Sequence, residues 1–481
     1  MSNVKPSTSE NKVQLSAEMD SIAPERDKYI RRSRHYYKNL VRFFRFNIVE
    51  NSRVLEIGSG TGYLLNAVNP AHGVGIDISG AMVEIARQKY PHLNFYNQDA
   101  EQLDLDEQFD YIIISDTLGY LEDIQKVIAN LKKVCTPDTR IIINYHSFFW
   151  EPLLELAQSL RLKMPHKRLN WLNRADVVNL LNLEGFDVIK TGKRYLMPVY
   201  IPLISWFFNK YIANLPLFNS LCLTGYIIAR LPDTLPADNR EFSVSVIIPA
   251  RNEAGNIEDA VKRIPDMGRH TEIIFVEGGS TDNTPDEIKR VIEKWLPLRD
   301  VKYMVQTGKG KGDAVRLGFE YAIGDILMIL DADLTVPPED LPKFYNAIAT
   351  GKGEYINGTR LVYPMEDEAM RTLNIMGNKF FSVMFSWLLG QRIKDTLCGT
   401  KVLSSANYRK LKANRSYFGN FDPFGDFDLI FGSAKLNLKL VEVPIRYRAR
   451  QYGETNISRF SHGWLLLKMV AYAMNKIKFV R

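Results

Sequence analysis

The sequence predicts an α/β protein of two successive domains, and three observations carry that reading. Apolar strand-like runs alternate with helical patterns along most of the 481 residues, the pattern of parallel sheets with helices packed on their faces. The alternation stops at LPDTLPADNREF (231–242), where two prolines and several polar residues mark a linker. A new buried strand, SVSVIIP, starts directly afterwards, which places the boundary near residue 238. The length itself exceeds one ordinary domain. No motif of the first half recurs in the second, so the halves are different domains and no duplication is expected.

Composition narrows the class. Hydrophobic content of 46% with 24% charged residues is that of a soluble globular protein. The net charge of +7 suits anionic partners such as nucleotides, phosphates or a lipid surface, and does not demand a nucleic acid. Cys135, Cys222 and Cys398 are scattered, with no C-x-x-C pair. That argues against a disulfide framework or zinc site and fits a reducing cytosol. The polar start, with no apolar core, reads as a mobile tail over residues 1–25. No stretch reaches the roughly 18 uninterrupted apolar residues of a spanning helix. YLMPVYIPLISWFFNKYIANLPLF (195–218) comes near it but is broken by Pro198, Pro202 and Pro216, and the apolar C-terminal stretch also comes near. The expected location is cytoplasmic, or peripheral on the cytoplasmic face of a membrane.

In the first half (26–230), RVLEIGSGTGYLLNAV reads as a strand, a glycine turn and a helix start. Gly58, Gly60 and Gly62 allow a tight turn and close approach of backbone to a ligand. The next strand ends at Asp77, placed to accept both hydroxyls of a ribose, and NQDAEQL follows the third strand. The spacing is G-x-G-x-G, which disfavours a dinucleotide. These residues resemble the class I S-adenosylmethionine-dependent methyltransferases over about residues 30–230. The resemblance implies a Rossmann-like sheet and S-adenosyl-L-methionine as cofactor. It implies that Glu56 and the three glycines lie in the cofactor motif, that Asp77 is the ribose acid, and that Asp99 and Ala100 form the adenine loop. The fourth strand ends in SDTL and lacks [DN]-P-P-[YF], which points to an oxygen or small-molecule acceptor. Asp116, Tyr120 and His146 follow strands four and five, at the edge where an acceptor would bind; His146 is the candidate base. The basic, aromatic helix RDKYIRRSRHYYKNLVRFF is expected to close the cofactor site, with its arginines solvated, in preference to binding RNA.

In the second half (243–455), successive strands end in chemistry. PARNE closes the first, and EGGSTD, with Glu277, Ser280 and Asp282, closes the second. GKGKGDAVR supplies Lys309, Lys311 and Arg316 before a buried strand ends in Asp331-Ala332-Asp333. Parallel strands deliver such groups to one carboxyl-terminal edge. Asp331 and Asp333 are hard oxygen ligands suited to Mg²⁺ or Mn²⁺ shared with a diphosphate. These residues resemble the family 2 glycosyltransferases on the GT-A nucleotide-sugar fold. The resemblance implies that Pro249, Asn252 and Glu253 belong to the donor site and that Asp331 and Asp333 form the metal-binding D-x-D. The usual D-D-G-S is here Glu277-Gly278-Gly279-Ser280, leaving one acid for the base or ribose.

GTR (358–360), DTLCGTKVL (395–403) and RQYGETNIS (450–458) resemble the branch of dolichyl-phosphate mannose synthase and related polyprenyl-phosphate glycosyltransferases. In that branch the residues matching Arg360 and Arg450 hold phosphates, although the lysine of the R-x-x-G-E-S-K turn is here Asn456. Residues 456–481 form a basic amphipathic tail, and 370–395 is a second amphipathic candidate for lipid contact.

The expected function is therefore double. The second half transfers a sugar, with metal and with inversion, from a nucleotide sugar to polyprenyl phosphate. The first half methylates an oxygen of a small molecule or glycan. No nucleic acid is expected beyond nucleotide ligands. The competing reading is transfer to a saccharide hydroxyl, with Asp426 or Asp428 as base and the first half as a scaffold.

Overall fold

The computed structural model describes residues 8–160, 164, 170, 172–233, 241–360, 372–418, 427–448, 450, 452 and 459–479. It divides into two compact units, Met1–Pro232 with Phe479–Arg481, and Asp233–Lys478.

The first unit is built on β1 (Arg53–Ile57), β2 (His72–Asp77), β3 (Asn94–Asn97), β4 (Phe109–Ser115), β5 (Cys135–His146), β6 (Asp187–Arg194) and β7 (Thr224–Arg230). They lie in the order β3-β2-β1-β4-β5-β7-β6. Strands β1 to β5 are parallel, and β7 runs antiparallel to both its neighbours. The sheet is thus mixed, where the alternation predicted parallel strands. Strand β7 follows β6 in the chain, and a return into the neighbouring slot needs no crossover helix. The central strands are buried on both faces. Leu55, Ile57, Ile112 and Ile114 pack on one side, and Val54, Tyr111, Ile113 and Ile142 pack on the other with Leu40 and Phe44. The chain order reverses between β1 and β4, and in such sheets a crevice opens there at the carboxyl ends of the strands.

Thr8–Ile22 form a helix, which corrects the expectation of a mobile tail. Lys12, Ser16 and Asp20 stand four residues apart and so share a face. Each finds a partner: Lys12 Nζ lies 2.6 Å from both Asp99 and Glu101, Ser16 Oγ donates to the Ile78 carbonyl, and Asp20 accepts from Ser79 Oγ and the Ala81 amide. The helix is held by polar anchors, which an apolar-period reading does not register.

The second unit carries β8 (Ser243–Ala250), β9 (His270–Glu277), β10 (Asp300–Val305), β11 (Ile326–Ile329), β12 (Tyr355–Thr359), β13 (Lys401–Ser404) and β14 (Leu440–Pro444). Their order is β10-β9-β8-β11-β13-β12-β14, with β13 antiparallel to β11 and β12. This sheet too is mixed. One face of its centre carries Val244, Val246 and Ile248 in the cluster that also holds Phe275 and Met328, and Ile247, Ile274 and Leu327 are buried on the other.

The helix Arg459–Ala473 packs against the helix Thr372–Leu389. Leu466, Met469, Val470 and Ala473 are buried, a core stripe at helical spacing. The apolar face expected to meet lipid is therefore largely spent within the domain, leaving Trp464 and Leu467 outward. Among the described residues no helix is long and apolar enough to cross a membrane.

Candidate active sites

The first unit holds a cavity of about 1440 Å³ at the carboxyl ends of its parallel strands, lined by Glu56, Gly58, Gly60, Asp77, Asp99, Ala100, Asp116 and His146 among others. The three glycines have different reasons to be glycine. All have positive φ, at 72°, 51° and 77° for Gly58, Gly60 and Gly62. A Cβ at Gly58 would sit 2.5 Å from Thr117, and one at Gly62 would sit 2.6 Å from the Phe95 ring. At Gly60 the nearest neighbour is Arg26 Nε at 3.7 Å, so of the three this is the glycine whose Cβ would meet no close contact. The Gly60 amide donates to Asp77 Oδ2 at 2.8 Å and the Ser79 amide donates to Oδ1 at 2.9 Å. Burial pushes the Asp77 carboxyl up, and these two amides oppose the shift.

Several polar atoms around the cavity wait for partners. Glu56 Oε2, Ser59 Oγ, Gln98 Oε1 and Ser115 Oγ are buried without a hydrogen bond. Burial pushes Glu56 up to about 8, against the amide of Leu65. Unpaired buried polar groups are costly, and a ligand rich in donors and acceptors would satisfy them. S-adenosylmethionine, with its ribose, amino and carboxylate groups, fits that chemistry.

At the end of the cavity where the sequence reading expected an acceptor, Asp116 is the hub. Its Oδ2 accepts from Tyr36 OH at 2.6 Å, and its Oδ1 accepts from Asn144 Nδ2 at 2.8 Å and lies 3.3 Å from His146 Nδ1. The Tyr36 ring stacks on His146 with centroids 5.9 Å apart. Burial, then the Asp116 charge, raises Tyr36 well above its ordinary range, so it remains a donor. Asp116 itself has φ 55°, uncommon outside glycine and found at functional turns. Tyr36 and Tyr37 come from the helix Arg34–Asn47, which does close the site. Arg31 and Arg34 are exposed as expected, whereas Arg26 is turned into the cavity beside the glycine loop. The sequence did not single out Arg26, because nothing in its spacing separates it from its solvated neighbours.

In the second unit, β11 delivers the acid pair. Asp331 Oδ1 lies 2.6 Å from Lys311 Nζ. Asp333 Oδ1 accepts from the amide and hydroxyl of Thr335, and its Oδ2 lies 2.8 Å from Arg450. Arg450 reaches Glu253 as well, at 3.1 Å. Burial works against charge on Asp331, and Lys311, Lys401 and Arg360 outweigh it, holding the carboxyl below its ordinary range. Burial raises Glu253, against the pull of Arg450. Among the described residues no group of three or more His, Cys, Asp or Glu side chains forms a complete metal site. Two carboxylates suit a hard cation whose remaining ligands come from a diphosphate and water.

Two residues here escaped the sequence reading. Lys401 is fully buried, donating to the carbonyl of Cys398 and to Asn357. Gly399 lets its own backbone pass the acid: a Cβ there would lie 1.9 Å from Asp331 Oδ2. Both sit in the quoted DTLCGTKVL segment, where β13 begins.

Other expected site residues are placed differently. Arg360 pairs through Nε and Nη2 with buried Asp395, at 2.7 and 2.8 Å, so its guanidinium is spent on a carboxylate. Asp282 caps the entry to the helix Thr284–Trp295 through the Thr284 amide and hydroxyl. Glu277 accepts from the Ser280 amide, and Asn252, at φ 58°, accepts from the Thr281 amide at 2.8 Å. Pro249 lies in β8, and Lys309 is exposed. Asp428 stands between Arg415 at 3.4 Å and Arg316 at 4.0 Å, apart from the acid pair's own cations. Asp426 and Asn456 lie outside the described residues.

The two folds and their sites define a two-domain transferase. A family model described as methyltransferase domain matches residues 29–191, and one described as glycosyl transferase family 2 matches residues 245–413. The chain is a fusion of a methyltransferase domain and a family 2 glycosyltransferase domain. Glycosyltransferase AglJ of Haloferax volcanii is 27% identical over 226 residues, 47% of this chain and 69% of that protein. The dolichol-phosphate mannosyltransferase of Pyrococcus furiosus is 38% identical over 123 residues, 25% of this chain and 34% of its own length. For the first unit, the malonyl-[acyl-carrier protein] O-methyltransferase of Bacillus anthracis is 34% identical over 131 residues, 26% of this chain and 48% of that one. The chain thus spans about a third to two thirds of the length of these curated relatives.

Proposed function

We propose that this chain is a bifunctional enzyme. The second unit transfers a sugar from a nucleotide sugar to polyprenyl phosphate, and the first methylates an oxygen of a small molecule or glycan with S-adenosyl-L-methionine. The observation that carries the first activity is the acid pair at the end of β11 with Lys311 and Arg450 against it. Mg²⁺ or Mn²⁺ held by Asp331 and Asp333 would supply positive charge to the departing diphosphate. Lys311 and Arg450, each already holding a carboxylate, are placed to take up phosphate charge when those carboxylates turn to a cation.

An acceptor phosphate oxygen forms a bond to the anomeric carbon as that carbon's bond to the nucleotide diphosphate breaks, with inversion. A phosphate monoester, with a second pKa of about 6, needs no strong base. This suits a site where Asp428 is paired with two arginines. The names of the mannosyltransferase relatives support a polyprenyl carrier, and such a carrier brings the enzyme to a membrane surface.

In the first unit, Gly60, Asp77 and the adenine loop would hold S-adenosylmethionine, which supplies the methyl group. Arg26 would face its carboxylate, and His146, steadied through Nδ1 by Asp116, would accept the acceptor's hydroxyl proton at Nε2. The test is an incubation of the full chain with Mg²⁺ or Mn²⁺, labelled nucleotide sugars and short polyprenyl phosphate. Label in a mild-acid-labile lipid is the expected result. Donor turnover onto free saccharides alone would move the acceptor to a hydroxyl.

A further inference from the structure

The segment between β6 and β7 is folded inside out. In the short helix Ile204–Lys210, Ser205 is fully buried, accepting from the Ile201 amide and donating to the Val199 carbonyl. The next three residues, Trp206, Phe207 and Phe208, are 50%, 46% and 38% exposed. Three consecutive aromatics cover more than half of a helix's circumference, so nearly the whole outer surface is apolar while the inner contact is polar. Leu203, at 81% exposure, is held at φ 62°, and Leu217 is 84% exposed. Isolated exposed leucines are ordinary, but a contiguous apolar patch marks an interaction surface.

A second segment extends the patch. Phe148, Phe149, Leu153 and Leu156, just beyond β5, are all exposed. The two segments are tied together: Trp150 Nε1 donates to the Leu221 carbonyl at 2.8 Å, and the Ser147 amide donates to the Leu223 carbonyl at 2.8 Å. They emerge side by side because β5 ends opposite the start of β7, with His146 paired to Thr224, and β6 ends there too, with Arg194 paired to Thr224. This edge carries His146, and Leu153, Val199 and Tyr200 line the cavity while also facing solvent. The apolar rim and the acceptor end of the cavity are one continuous surface.

We propose that this rim docks on a lipid bilayer, and that the methyl acceptor enters the cavity as the polar headgroup of an amphiphile, a lipid-linked saccharide. The inference rests on reading the cavity as the site of methyl transfer. Aromatic composition selects lipid as the occupant. The longer segment, residues 195–223, contains no acidic side chain, and its one cation, Lys210, lies 5.2 Å from the Trp206 ring and 5.4 Å from the Tyr211 ring, while the second segment carries Glu151 and exposed Glu155. An amphipathic aromatic with a lysine beside it is the composition of a membrane–water boundary, where the ring sits among headgroups and the ammonium meets phosphate. The short helix is too brief to span and is suited to lie in the interface.

The test is flotation of the full chain with vesicles of phosphatidylcholine, alone or with one quarter phosphatidylglycerol. The comparison variant is Trp206→Ser/Phe207→Ser/Phe208→Ser, which alters exposed side chains and leaves Ser205 in place. The wild type floats, and the variant's partition falls by roughly tenfold or more with either lipid composition. S-adenosylmethionine affinity, measured by calorimetry on both, stays equal and certifies the fold of the cavity. Equal flotation of variant and wild type, or no flotation of the wild type, overturns the docking surface. A wild-type dimer that the variant dissolves overturns it in favour of a second copy. With labelled methyl donor, label enters a vesicle-borne lipid-linked saccharide and not the same saccharide free in solution; equal labelling of both overturns the amphiphile. Absence of cofactor binding in the wild type removes the methyl-transfer reading on which the acceptor depends, and with it the acceptor proposal, while flotation still decides the surface.

Discussion

Replacing Gly399 with alanine isolates one contact on which the proposed sugar transfer would depend. The added Cβ would lie 1.9 Å from Asp331 Oδ2, 2.5 Å from its Cγ and 2.7 Å from Oδ1. Contacts of a real Cβ essentially never fall below 3.0 Å, so about 1.1 Å of movement is required. The Asp331 side chain is the softer partner, because Gly399 sits at the entry to β13, two residues from buried Lys401. The carboxylate therefore leaves its place beside Lys311. A misplacement of about 1 Å costs on the order of a hundredfold in rate, or about 2.7 kcal/mol in the barrier. The overpacking itself costs about 1–3 kcal/mol of stability, a few degrees in the unfolding temperature of this unit. The assay is sugar transfer under saturating donor, with Mn²⁺ binding and thermal unfolding measured in parallel. Gly377→Ala serves as control, since nothing lies within 4 Å of the Cβ it would add. Transfer by Gly399→Ala within threefold of wild type, with Mn²⁺ binding intact, would refute the placement of Asp331 at the metal and diphosphate.

Three other outcomes are expected. Glu56 titrates at about 8 in the fold against an ordinary 4.5, so the folded state holds the extra proton and its stabilising contribution fades as pH rises between those values. Glu56→Gln should flatten the loss in the first unit's unfolding free energy, whose limit from one such group is about 1.4 kcal/mol per pH unit; parallel urea curves at pH 6 and 8.5 for both proteins would contradict this. His146→Ala should lower methyl transfer by about 10²–10⁴-fold while leaving cofactor affinity unchanged, and Tyr36→Phe should act in the same direction more weakly by loosening Asp116; a fall in cofactor affinity alone would argue against a base. Asp428→Asn should leave the pH profile of sugar transfer in place and lower the unfolding temperature, since its carboxylate is held by Arg415 and Arg316; a lost basic limb in the profile would restore it as a general base.

Much of this protein is local in its signals. Glycines at fixed spacing, a strand ending in Asp77 and a strand ending in Asp331 and Asp333 are short-range patterns, and each was legible in the chain. The two-domain order followed from a proline-marked break. What was not legible is long-range pairing. The antiparallel β7 and β13 depend on which neighbour each strand meets, and nothing within their seven or four residues encodes that. The helix Thr8–Ile22 is fixed by Lys12 reaching Asp99, 87 residues away in the chain. Arg26 and Lys401 look like any other cations until burial distinguishes them.

Sequence by itself determined the two sets of chemistry, because ligand-binding turns require particular residues at particular spacings. Tertiary structure decided who partners whom. It gave Arg360 to Asp395 and Asp428 to two arginines, and it joined Tyr36, Asp116 and His146 across 110 residues of chain. It also turned the aromatics of residues 206–208 outward to solvent. The physical reason is that hydrogen bonds, ion pairs and burial are properties of distance in space, and only the fold sets those distances.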